Sequence, residues 1–174
     1  MGDRTWCVLR IGGLLPEADA ETLFELIDDA GASQELMPPP SPPSRAGSKI
    51  KRILVDGIEF EEVNHAQLDD RLQSFLKVKG LSYVWEWDSG GGYGSGIELF
   101  DGHSGETAAF CHMDGEIMLT LKEAQNPEIL AKAAAWHSFR RKINGVRLYS
   151  GHHELLEAKR EMSETTNTEH PKCN

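Results

Sequence analysis

Apolar positions along this chain change period several times, and each change marks an element. Thr5-Trp6-Cys7-Val8-Leu9-Arg10-Ile11 is a short, nearly continuous apolar run. It predicts a buried first strand that ends at Gly12-Gly13. Pro16 then opens a helix with Glu17, Asp19 and Glu21 in its first turn, where the dipole favours anions. Leu23, Phe24, Leu26, Ile27 and Ala30 recur at helical spacing as its buried stripe, and Gly31 is the stop. The tract from Met37 to Ser44 is dominated by proline and supports neither helix nor sheet. Residues 37–48 are expected to form a mobile or polyproline-like loop, as a linker rather than a ligand for a proline-reading domain.

Lys51 to Val63 reads as a strand or hairpin with Asp56-Gly57 at its turn. Asn64 is the expected cap of a second helix, whose Leu68, Leu72, Phe75 and Leu76 share one face before Gly80 ends it. The period then falls to two. Segments 81–88, 96–101, 107–113 and 116–121 predict an antiparallel meander, with Asp114-Gly115 as a two-residue hairpin turn. Asn126-Pro127 starts a third helix with Ile129, Ala133, Trp136, Phe139 and Ile143 inward. Val146–Tyr149 is expected as a short edge strand. A last helix over 152–162 would turn Leu155, Leu156 and Met162 inward, and the polar tail from Ser163 is expected to be disordered.

Runs of neighbouring strands with helices before and after argue an α+β fold. The expectation is one domain over 1–162, with a largely antiparallel sheet of about five to six strands and three to four helices mainly on one face, as such folds are built.

Charge then narrows the function. The formal net charge is -10, which keeps a chain soluble and disfavours nucleic acid and anionic membranes as direct ligands. Two blocks carry the excess: neither 11–44 nor 80–121 contains a Lys or Arg. The first holds Glu17, Asp19, Glu21, Glu25, Asp28, Asp29 and Glu35, and the second holds Glu86, Asp88, Glu98, Asp101, Glu106, Asp114 and Glu116. The apolar run at the N-terminus is too short for a membrane span. Cys7, Cys111 and Cys173 show no CxxC spacing, so a reduced, cytoplasmic setting is expected.

The second acidic block also holds Tyr83, Trp85 and Trp87, which alternate and therefore share one strand face. Glu86 and Asp88 point the other way, so the rings are expected inward and the carboxylates outward. The run Gly90 to Gly96 fits neither GxxxxGK[ST] nor GxGxxG. It leads into a strand rather than a helix, so it reads as a flexible turn and not a phosphate cradle. Cys111 and His112 diverge as strand neighbours, His65 and His153 form no HExxH, and no GxSxG elbow surrounds any serine. No metal or cofactor is expected. His103, on a glycine-flanked loop near Asp101 and Glu106, is the histidine with the most site-like setting.

These features favour a non-enzymatic acidic binding or inhibitor protein that docks on a basic site of a partner protein, its carboxylates standing where phosphates would stand. Immunity proteins against nuclease toxins and phage or plasmid anti-defence proteins of the anti-CRISPR kind are the physical type. The expected contact set is Glu86, Asp88, Tyr93, Glu98, Asp101, His103 and Glu106. The alternative is a small enzyme or ligand-binding domain at the 88–106 loop, with His103 and Asp101 or Glu106 as acid–base groups.

Overall fold

The computed structural model describes residues 4–33, 51–64, 66–90, 94–103, 107–113, 116–140, 143 and 145–167. The expected proline-rich loop and the turn at Asp114-Gly115 lie outside these residues, as do Tyr93 and Glu106.

The sheet is built around one long strand, β1 (Arg4–Pro16). Along one edge β1 pairs antiparallel with β4 (Ser82–Trp87). Its other edge serves two strands in tandem. The first half pairs antiparallel with β3 (Ile58–Asn64), and the second pairs parallel with β8 (Gly145–Tyr149). The sheet continues from β4 to β5 (Gly96–Phe100), β6 (Thr107–Met113) and β7 (Glu116–Met118), while β2 (Lys51–Ile53) flanks β8. The fold is thus α+β, with eight strands among the described residues in a mostly antiparallel open sheet. The strand count exceeds the expected five to six, but the class is the expected one.

Three sequence expectations change for identifiable reasons. β1 does not stop at Gly12-Gly13, because β8 supplies hydrogen-bonding partners from Gly12 through Pro16. Gly13 adopts φ +127°, open to glycine alone, and lets the strand bend onward. β8 is interior, lying between β2 and β1, so it is not an edge strand. Lys51 to Val63 is not a hairpin, since β2 pairs with β8 and β3 with β1.

The helices divide between the two faces. α1 (Ala20–Asp29) and α2 (Asp70–Val78) set Leu23, Ile27, Leu72 and Leu76 against Leu9, Ile11, Tyr83, Trp85 and Phe60. The Trp85 ring meets Phe60 edge to face at 5.3 Å. On the opposite face α4 (Pro127–Arg140) lays Trp136 and Phe139 over Val84, Ile97, Leu99 and Ala108, with Ile143 beside them. A period-two strand with apolar residues on both sides needs cover on both sides, and the α4 stripe supplies the second.

α2 is capped by Asp69, whose carboxylate accepts from the N–H groups of Arg71 and Leu72 at 3.0 Å each. The expected cap, Asn64, is instead the last residue of β3, paired with Arg4. A short helix, α3 (Leu121–Ala124), replaces the end of the last expected strand. Thr120 and Glu123 form a capping box at its start. α5 (His152–Asn167) packs against β8, with Ala158 fully buried and Leu156 exposed rather than inward. The helix runs past Ser163, and 168–174 fall outside the described residues.

Candidate functional site

The alternation of β4 turns its rings inward as expected. Tyr83 is fully buried, Trp85 is 2% exposed, and Trp87 at the strand end is half-buried. The carboxylates do not follow the outward half of that expectation. Glu86 lies beneath α4, between Arg10 Nη1 at 3.0 Å and Arg140 Nε at 2.7 Å. These are ion pairs rather than aligned hydrogen bonds. Its side chain is only 13% exposed, so Glu86 neutralises two arginines at the sheet–helix boundary. Asp88, just past β4, is exposed. Its backbone is anchored to β1, accepting from the Thr5 hydroxyl at 2.9 Å and donating to Trp6 O at 3.1 Å.

Glu98 lies on the other face. The register places it opposite Trp85 on β4 and Ala109 on β6. Its Oε1 accepts from the Tyr83 hydroxyl at 2.6 Å and from Gln73 Nε2 at 2.9 Å. Gln73 in turn accepts from Lys77 Nζ at 3.1 Å. Burial first, and then the bond and the charge of Glu98, push the Tyr83 hydroxyl well above its ordinary pKa. Tyr83 therefore remains a neutral donor that holds Glu98 in one orientation.

Glu98 belongs to a concave groove of about 440 Å³ lined by Ala66, Gln67, Leu68, Asp70, Gln73, Trp85 and Trp87 as well. Its volume is within the range of small-ligand sites. One wall is the segment that leads into α2, with Asp70 in the first helical turn. The floor comes from β4 and β5. Trp85 Nε1 donates to Ala66 O at 2.8 Å and pins that wall to the sheet. Trp87 lies across its strand partner Gly96, where a Cβ would overlap the indole, with Cη2 at 2.8 Å and two further ring atoms closer. Trp87 Nε1 donates to Gly94 O at 3.1 Å. Gly96 is ordinary extended strand, so its requirement for glycine is steric. With one side on Gly96, the indole offers its other side to the groove.

Asp101 and His103 sit beyond the far end of β5. The Asp101 carboxylate accepts from the His103 backbone N–H at 2.8 Å and so shapes the turn. Of the expected contact set, Glu86 and Glu98 thus occupy opposite faces, Asp88 and the Asp101–His103 turn flank opposite ends of the β4–β5 pair, and Tyr93 and Glu106 lie outside the described residues. Among the described residues no group of three or more His, Cys, Asp or Glu is placed to hold a metal ion, and no helix is long and apolar enough to cross a membrane.

Asp70, Gln73 and Trp87 were not read as one site from sequence. The signal was register: only the pairing of Trp87 with Gly96 and Trp85 with Glu98 reveals the floor. One carboxylate of the second acidic block, Glu98, shares this side of the sheet with the first block. α1 carries Glu21, Glu25 and Asp28 on one exposed stripe and packs beside α2. Asp29 pairs with Arg71 at 2.9 Å and Asp19 with Lys79 at 2.7 Å, which occupies one cation of α2 and the lysine that caps its C-terminus. No protein-family model matches the chain, and neither does any curated protein or solved structure.

Proposed function

We propose that this protein is a non-enzymatic acidic binding protein that docks onto a basic site of a partner protein, such as a nucleic-acid-binding surface. Its physical type is that of an immunity protein or a phage or plasmid anti-defence inhibitor of the anti-CRISPR kind. The observation that carries this reading is that α1 of the first acidic block, Glu98 of the second, and Asp70 all present carboxylates on the α1–α2 side. The exposed Glu21, Glu25 and Asp28 stripe and the Asp70–Glu98 groove lie on the same side of the sheet. At a net charge of -10 such a side steers a basic surface inward and repels a phosphate backbone. Asp88 adds charge at the strand end. Glu86 contributes through the fold, since its charge is taken up by Arg10 and Arg140.

The test is binding to a short arginine- and lysine-rich peptide across a salt series, with E21K/E25K/D28K as the variant. Affinity is expected to fall steadily with salt and to fall again in the triple variant. Affinity indifferent to both would refute the proposal.

A further inference from the structure

The groove has a more specific chemistry than general acidity. Its floor is the flat indole of Trp87, seated on Gly96, and a carboxylate stands at each side: Glu98 on β5 and Asp70 on α2. Glu98 is held by Tyr83 and Gln73 through Oε1, and among the described residues nothing bonds to Oε2. Two acceptors beside an aromatic face form a receptor for a cation, which gains from the ring quadrupole and from the carboxylates together. Lys77, one helical turn beyond the lining residue Gln73, is turned onto Gln73 Oε1.

We propose that this groove seats one arginine side chain of the basic partner. The guanidinium stacks on Trp87 and pairs with Glu98, and Asp70 faces its outer edge. A planar fork suits a flat ring bordered by a fixed carboxylate better than a compact ammonium does. The groove is open and polar, so the long aliphatic stem can lie along Leu68 while the charged head stays hydrogen-bonded. This inference rests on the proposed docking to a basic partner and gives that docking an anchor residue.

The experiment is an NMR titration of the Trp87 indole N–H with N-acetyl-arginine-amide, and with its citrulline and lysine counterparts. The neutral citrulline compound keeps the shape and removes the charge. The Trp87 signal is expected to shift saturably with the arginine compound, while the exposed Trp6 signal stays still. Binding of the citrulline compound should be at least about tenfold weaker, and E98Q should weaken the arginine compound by about tenfold. Gln at position 98 still accepts from Tyr83, and D70N, on the exposed wall, provides a second variant with an expected loss of about threefold. Equal binding of arginine and citrulline compounds, tighter binding of the lysine compound, or indifference to both E98Q and D70N overturns the assignment. If the arginine compound fails while the basic peptide still binds in a salt-dependent way, the arginine seat alone is wrong. If the arginine compound binds and the peptide is indifferent to salt and to the α1 reversals, the docking surface alone is wrong.

Discussion

Gly96→Ala adds one methyl group at a buried position at the start of β5, a change that is ordinarily mild in a strand. Alanine there should even gain about 0.5–1 kcal/mol, because glycine loses more backbone entropy on folding. Here the added Cβ would fall inside the Trp87 ring, with Cη2 at 2.8 Å and two atoms nearer. Neither the strand pairing nor the ring can absorb that overlap, so the indole must lift off the sheet. Overpacking of this kind costs about 1–3 kcal/mol. Loss of the Trp87 Nε1–Gly94 O bond adds about 0.5–1 kcal/mol. After the entropic gain the net destabilisation is about 2 kcal/mol. The assay is urea denaturation followed by circular dichroism for the wild type, G96A, W87V and the double variant. In the W87V background the ring is gone, so G96A should be neutral or slightly stabilising. The coupling energy should therefore be about 2–3 kcal/mol. A G96A cost below about 0.5 kcal/mol, or the same cost in both backgrounds, would show that Gly96 is not the seat of the indole.

Other outcomes follow from the same contacts. Glu86→Ala removes the carboxylate that Arg10 and Arg140 share beneath α4 and should cost about 3 kcal/mol, near the low end for a buried pair because Arg10 is 38% exposed; Asp88→Ala, at the exposed strand end, should cost under about 0.5 kcal/mol in the same denaturation assay. Tyr83→Phe removes the 2.6 Å bond to Glu98 and should cost about 2 kcal/mol, with a weakened response of the groove to arginine. The Cys7 thiol is pushed up to about 12 by burial and then by the charge of Asp88. The unfolded thiol ionises near 9 while the folded one holds its proton, so this stabilisation is complete below pH 9 and is lost as pH rises to about 12. Unfolding free energy should fall by about 1.4 kcal/mol per pH unit in that window from Cys7, with Tyr83 adding a loss of the same sign above its own unfolded value; Cys7→Val should remove the first contribution. Iodoacetamide should label exposed Cys111 and spare buried Cys7 until the protein unfolds, as read by mass spectrometry.

Local patterns carried much of this fold in the sequence. The alternation of Tyr83, Trp85 and Trp87 placed the rings inward, and the helical spacing of Leu23 and Ile27, and of Leu72 and Leu76, marked the faces that cover them. What stayed illegible was pairing between distant segments. The parallel β1–β8 contact joins residues more than a hundred positions apart, and nothing within Gly12-Gly13 announces it. The same limit reversed the reading of Glu86: Arg10 and Arg140 come from opposite ends of the chain, and only the fold brings them to one carboxylate. Short-range errors had signals available. Asp69, immediately before the helical stripe, is a better cap than Asn64, and Thr120 to Glu123 is a capping box written in full. The groove itself needed strand register, since Glu98 and Gly96 become floor residues only opposite Trp85 and Trp87.

The most direct test of the acidic side as the docking surface is a two-dimensional NMR map of the protein titrated with a short arginine-rich peptide at low and high salt. Shifts are expected at the Trp87 indole, at Gly96 and Glu98, and along α1 and α2, and they should fade at high salt. Shifts confined to the opposite side, around Met118, Leu121 and Leu130 near α3 and α4, or a pattern unchanged by salt, would contradict it.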